Sequence, residues 1–347
     1  MTTLLDQALD RREAGDLDGA LALARRAQAR AAGSGGFAEA LLVQGRLHLD
    51  RAELAEAERT LLHALRTSGG DTVVHLHARN ALGDVHRAGG RYEEAAALFR
   101  ETVALAETER GPDSVEVAEA LNGLGVTGKY SGDFATAEAV YLRALAILER
   151  TLGAEHPDVA GVQHNLGGLA HARGDYAAAE GPARRAVEIR ERALGPGHPD
   201  VAADRAALAP ILDALDRPQE AESLLRQSLA AFEQCYGPGH PEVAVTLHNL
   251  AAIAQRRDPA EAESLYRRAI ASKEDHFGPD HPDLAVSLNN LALVRNERGD
   301  DGEALELLER AIGILVPAVD SCHPTLDACR DNAERLRTAR ARTEMAG

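Results

Sequence analysis

The sequence predicts an all-α fold, an α-solenoid of about eight helix-turn-helix repeats closed by a C-terminal capping helix. Three observations predict it. Five His-Pro pairs, beginning at His156, His198, His240, His281 and His323, are separated by 42, 42, 41 and 42 residues, and a fixed period of this length marks a recurring structural unit. Within each step, apolar residues recur at three- and four-residue spacing on both sides of a turn centred on Gly-Asp, the pattern of two amphipathic helices. The third observation is a column of alanine. Counting from the residue after each turn (Leu17, Leu54, Tyr92, Phe134, Tyr176, Pro218, Pro259 and Asp301), the third following position is Ala20, Ala57, Ala95, Ala137, Ala179, Ala221, Ala262 and Ala304.

Two further columns admit only small side chains. One is Ala27, Ala64, Thr102, Ala144, Ala186, Ser228, Ala269 and Ala311, and the other is Ala8, Gly45, Gly83, Gly125, Gly167, Ala209, Ala251 and Ala292. Helices that cross at close range need such positions, because a bulky residue there pushes the axes apart. In order, the repeats fall at about 3–32, 37–68, 72–112, 114–154, 156–196, 198–238, 240–279 and 281–320, within one domain over 1–347. The first steps are shorter, 37 and 38 residues, and Gly33-Ser34-Gly35-Gly36 reads as a flexible join. The stretch 323–342 has one helix's worth of pattern and is expected to shield the last apolar face.

Between repeats stands a joint such as GPGHPD at 195–200. Gly195 is expected to stop one helix in the left-handed region. Pro199 opens the next at its first position, and Asp200 sits near the positive end of the helix dipole. The histidines of these joints are a poor metal site. Successive copies are one repeat apart, roughly 10 Å for stacked helices, whereas zinc ligands converge on one ion at about 2 Å.

Composition narrows the function. Hydrophobic residues make up 45% of the 347 residues, aromatics only 3%, and tryptophan is absent. The formal net charge of −17 opposes nucleic acid and anionic membranes as partners. Cys235, Cys322 and Cys329 form no disulfide framework, the first residues lack the pattern of a signal peptide, and no apolar run approaches the ~20 residues that span a bilayer. A soluble, cytoplasmic protein is expected. The scarcity of lysine beside arginine, with abundant Ala and Gly, suggests a high-GC bacterial genome.

The combination of Leu-Gly in the first helix, Gly-Asp-Tyr at the turn, Ala early in the second helix and a large apolar residue four later (Phe99, Tyr141, Tyr266) resembles the tetratricopeptide repeat. The longer period and the text LGPxHPDVAxxLNNLA are similar to the variant found in kinesin light chains and in many bacterial repeat proteins. The chain departs from kinesin light chains in lacking an N-terminal heptad pattern, and from the repeat pattern in placing Pro218, Pro259 and Asp301 where Tyr is usual. The resemblance implies a right-handed superhelix whose first (A) helices line a concave groove for an extended peptide or a partner's helix, with the second (B) helices outside.

On that register the groove candidates are Asn80, Asn122, His164, Asn165, His248, Asn249, Asn289 and Asn290, with Arg87, Lys129, His171 and Arg256 one turn or more further along. An asparagine amide both donates and accepts, so it can pair with a peptide backbone of any sequence. It can equally satisfy the adjacent repeat. Arg87, Lys129 and Arg256 suit acidic side chains or a terminal carboxylate, and Val126, Val286 and Leu293 suit apolar anchors. The repeat over 198–238 breaks the column with Ala206, Ala207, Pro210 and Asp213, so it either divides the groove or spaces the others.

His75, His77 and His86 cluster in the third repeat, while His164 and His171, and likewise Cys322 and Cys329, stand seven residues apart, too wide for two ligands of one metal on a helix. No GxSxG, Walker A, GxGxxG or HExxH motif occurs, and no cofactor is expected. The expected function is therefore a non-catalytic scaffold that binds a protein or peptide in the groove. The alternatives are a regulatory sensor whose superhelix responds to a peptide or small molecule, and an atypical biosynthetic enzyme using groove histidines.

Overall fold

The computed structural model describes residues 3–31, 33–318, 320 and 323–346. Among them it contains seventeen α-helices and no strand. The chain divides into two compact units, Met1–Gly195 and Pro196–Gly347. The N-terminal unit holds five helix pairs: α1 (Leu4–Glu13) and α2 (Leu17–Arg30), α3 (Ser34–Asp50) and α4 (Leu54–Thr67), α5 (Thr72–Ala88) and α6 (Tyr92–Arg110), α7 (Val115–Ser131) and α8 (Phe134–Leu152), α9 (Pro157–Ala172) and α10 (Tyr176–Leu194). The C-terminal unit holds α11 (Pro199–Ala214) and α12 (Pro218–Tyr236), α13 (Pro241–Gln255) and α14 (Pro259–Phe277), α15 (Leu284–Glu297) and α16 (Asp301–Leu315), and the single helix α17 (Pro324–Ala346). The glycine-rich run at 33–36 is not a separate join: Gly33 caps α3, and Ser34, Gly35 and Gly36 form its first turn.

The punctuation of each repeat is chemical. Five of the eight B helices start on an aspartate whose carboxylate accepts backbone N–H groups of the first turn, Asp16, Asp133, Asp175, Asp258 and Asp300. Pro218 and Pro259 are accommodated where tyrosine is usual, because each is the first helical residue, where no N–H is needed. A helices α9, α11 and α13 start on the histidine of the joint. The Nδ1 of His156, His198 and His240 accepts the backbone N–H of Asp158, Asp200 and Glu242, each at 3.2 Å. His281 and His323 make the same bond to Asp283 and Thr325 at 3.3 Å. Histidine is thus the N-terminal cap of α9, α11 and α13.

The glycine stop differs from expectation in one angle. Gly195 has φ 85° but ψ 156°. That lies outside the left-handed helical region, in territory essentially reserved for glycine.

The alanine column is fully buried in all eight repeats. Its neighbour, the glycine column, does two different jobs. A Cβ added at Gly45, Gly83 or Gly125 would lie 2.5–2.6 Å from the side chain of Leu61, Phe99 or Tyr141. At Gly167 it would instead lie 3.1 Å from the backbone N of Ala183, so only there does the glycine let two backbones approach.

Tyr141 is fully buried and its hydroxyl has no hydrogen-bond partner among the described residues. An unpaired buried hydroxyl costs stability. Tyr141→Phe is therefore expected to be neutral or to stabilise the protein by up to about 1 kcal/mol. A clear loss in urea denaturation would show that the hydroxyl is bonded after all.

Candidate functional site

Within each unit, successive A helices touch one another: α1 with α3, α3 with α5, α5 with α7 and α7 with α9, then α11 with α13, α13 with α15 and α15 with α17. No B helix touches the next B helix among the described residues. The A side of each stack is therefore the crowded, inner side. Positions spaced i, i+4 and i+7 on one A helix share a face. This places Asn80, Asp84 and Arg87 together on α5, Asn122, Val126 and Lys129 on α7, and His164, Gly168 and His171 on α9.

Much of the asparagine column bonds from repeat to repeat. Asn165 Nδ2 donates to Asn122 Oδ1 at 2.8 Å, and Asn332 Nδ2 donates to Asn289 Oδ1 at 2.9 Å. Asn290 Nδ2 stands 3.5 Å from His248 Nε2, and Asn289 Nδ2 donates to Asn290 Oδ1 at 3.2 Å. In the three contacts between repeats the rule is the same: the residue just before the helix-A leucine or its counterpart reaches back to the preceding repeat. Asn249 would reach toward Ala206, which has no amide, and it makes no hydrogen bond among the described residues. Arg256 pairs with Asp213, and the His171 ring packs edge-on to Tyr176 with centroids 5.5 Å apart.

Asn80 is the exception. It is 7% exposed, and neither its Oδ1 nor its Nδ2 has a hydrogen-bond partner among the described residues. The residue of the next repeat that would reach back to it is Gly123. An added Cβ there would lie 2.3 Å from Phe99 Cε1, so the ring occupies the space an asparagine would need.

The A face of α3, α5 and α7 carries cations and carboxylates together. Arg46 on α3 and Lys129 on α7 have no carboxylate within 4.0 Å among the described residues. Burial pushes the Arg46 pKa down, against the charges of Glu119, Asp84 and Asp50 that raise it. Arg87 donates to Asp84 Oδ1 at 3.0 Å, but its Nε is buried without a partner. Asp84 keeps 37% of its side-chain surface open to water, yet the surrounding protein raises its pKa despite Arg87 and Arg46. Both facts describe a carboxyl at the bottom of a concave wall. Tyr130, 57% exposed, holds Lys129 Nζ at 5.0 Å and the Arg87 guanidinium at 5.9 Å from its ring centre, and stacks on Tyr92 at 6.4 Å. Arg46, Asp84 and Tyr130 were not among the sequence candidates. The signal available was their register: Arg46 and Asp84 occupy the same repeat position as Val126, which was.

The C-terminal unit has a different polar centre. His248 Nδ1 lies 3.1 Å from Ser287 Oγ, and Lys273 Nζ donates to the same Oγ at 3.0 Å and to the Asp283 carbonyl at 2.9 Å. Burial, reinforced by the Lys273 charge, lowers the His248 pKa to about 4, so this imidazole is neutral at neutral pH. Among the described residues no group of three or more His, Cys, Asp or Glu side chains converges as metal ligands would, and no helix is long and apolar enough to cross a membrane. Cys322 lies outside the described residues; Cys329 is buried and Cys235 exposed.

Helix pairs stacked in register, with a polar inner face and no converging reactive groups described, define a repeat protein of the protein-interaction class. The chain belongs to the tetratricopeptide repeat family, whose models match residues 74–150, 129–192, 158–234, 208–275 and 274–315. No curated protein matches it. Among solved structures, BtubC (BKLC) from P. vanneervenii is 26% identical, with a TM-score of 0.57 over 67% of this chain and 94% of that one. A Podosopora anserina putative kinesin light chain with nearly identical TPR-like repeats is 25% identical, with a TM-score of 0.50 over 58% of this chain and 96% of that one. The APC/C hetero-tetramer Cut9-Hcn1 shares the fold alone, at 14% identity and a TM-score of 0.65, over 96% of this chain and 55% of that one.

Proposed function

We propose that this protein is a non-catalytic scaffold whose N-terminal unit binds an acidic, extended peptide segment of a partner protein along the A helices α3 to α9. The observation that carries this reading is the pair of A-face cations Arg46 and Lys129, neither with a carboxylate within 4.0 Å among the described residues, with the exposed Tyr130 ring beside Lys129. Arg46, Lys129 and the part-exposed Arg87 guanidinium offer charge-assisted bonds to acidic side chains or a terminal carboxylate. Tyr130 offers an exposed ring to an apolar neighbour. Asn122, His164, Asn165 and His171 extend the same face, and Asn122 and Asn165 keep further donors and acceptors beyond their mutual bond. In the C-terminal unit His248, Asn249, Arg256, Asn289 and Asn290 would form the corresponding face, with fewer free groups.

The test is fluorescence anisotropy with a labelled ten-residue Glu-rich peptide and a Lys-rich peptide of equal length. The acidic peptide is expected to bind, more weakly as salt rises. Arg46→Glu combined with Lys129→Glu should weaken it by roughly 10- to 100-fold, two charge-assisted contacts of about 1 kcal/mol or more each, while helicity is unchanged. Equal binding of both peptides, or unchanged binding by the double variant, would refute the acidic-segment reading.

A further inference from the structure

The C-terminal unit contains a cavity of about 450 Å³ whose walls come from α13, α14, α15, α16 and the start of α17. Its lining is mostly apolar, including Val245, Phe277, Val286 and Leu315. Val245, Phe277 and Val286 are 49%, 37% and 43% exposed, three of the ten large apolar side chains left exposed among the described residues, and all three open onto this one cavity. Such convergence marks a binding site more than chance exposure does. At its polar end stands Lys273. This ammonium is half-buried and has no carboxylate within 4.0 Å among the described residues.

We propose that this cavity binds a small apolar monocarboxylate, the size of a medium-chain fatty acid, with Lys273 holding the carboxylate and the valine and phenylalanine walls holding the chain. Three features favour an anion with an apolar body. Two of the three Lys273 N–H groups are spent on the Asp283 carbonyl and the fully buried Ser287 hydroxyl, which hold Nζ at the cavity and leave one donor unspent. His248 is neutral at neutral pH, and His323 accepts its own cap bond at Nδ1. The Asp283 carboxylate at the rim is 61% exposed and faces His281 Nδ1 at 3.8 Å, so it lies largely in water. Lys273 is thus the half-buried charge of the lining, and the Asp283 carboxylate acts on it only from beyond 4.0 Å. An amine would meet a like charge at the polar end, and a neutral alcohol would leave the ammonium without a close counter-charge. The volume lies within the range of small-molecule pockets, and the site joins two repeats and the last helix, so a ligand here also stabilises the unit. This site is in the C-terminal unit and does not depend on the peptide surface of the N-terminal unit.

The experiment is isothermal titration calorimetry and thermal unfolding of the full chain with octanoate, 1-octanol and octylammonium. Octanoate is expected to bind with a negative heat-capacity change and to raise the melting temperature, with octanol at least tenfold weaker and octylammonium silent. Lys273→Met should weaken octanoate at least tenfold. Val286→Trp, at a half-open position, should fill the cavity and abolish binding while Lys273 and the circular dichroism spectrum stay intact. No octanoate binding at millimolar concentration overturns the proposal. So does equal binding of octanol or octylammonium, or undiminished binding by Val286→Trp.

Discussion

Phe99→Ala is expected to destabilise the N-terminal unit by about 3–5 kcal/mol, the usual cost of emptying a buried aromatic site. Phe99 is 1% exposed, and its ring packs against Gly83 on its own repeat's A helix and Gly123 on the next. One ring therefore joins two repeats. In a stack where each repeat contacts only its neighbours, such a wedge governs whether the unit unfolds as one body. Gly123→Ala should cost about 1–3 kcal/mol by overpacking. The two changes are coupled through the same space, so the double variant should lose clearly less than the sum of the singles. Urea denaturation of the four proteins makes the comparison. Strict additivity would mean that the ring and the glycine do not share the site the structure gives them.

Acidification from pH 7 to pH 4.5 is expected to destabilise the C-terminal unit, with His248 the main contributor. An unfolded histidine titrates near 6.5, whereas burial and the Lys273 charge hold His248 down to about 4. The unfolded chain therefore takes up its proton first. The contribution of neutral His248 is fully present above pH 6.5 and is lost as pH falls from there toward 4. Allowing for residual contact with water, the loss is ~2 kcal/mol over this window. His240 acts with the same sign, since burial and His276 lower its pKa and its neutral Nδ1 caps α13. Glu242 acts oppositely: burial raises its pKa, so protonation on acidification relieves a cost. The variant His248→Asn isolates the term. The wild type should lose about 2 kcal/mol more than His248→Asn between pH 7 and 4.5. An equal loss in both would remove His248 from the account.

The repeat itself was legible because it depends on local chemistry. A proline at the first helical position, a glycine at a positive φ and an aspartate before a B helix each act within a few residues, and each recurs in several of the eight repeats. The alanine column was legible for a related reason: every copy is fully buried, so no copy tolerates a larger side chain. The cap role of the joint histidines was not read from the sequence, because a ring nitrogen reaching its own backbone two residues on leaves no spacing pattern beyond the His-Pro pair.

The candidate site was legible only in part. Spacing identified the asparagine column, but a period of 42 residues cannot say whether an amide faces a ligand or its counterpart in the next repeat. Asn165 and Asn122 lie 2.8 Å apart because α7 and α9 touch, and Asn80 is left alone because Phe99 fills the space beside Gly123. Arg46, Tyr130, Lys273 and Ser287 likewise acquired meaning only from side chains more than a turn away. By itself the sequence determined the architecture: the helix pairs, their punctuation, their order and the small residues at their crossings. Tertiary structure decided which polar groups are already spent and which remain open. The physical reason is range: caps and periodicity act within one turn of helix, whereas hydrogen-bond satisfaction and burial depend on atoms forty residues distant.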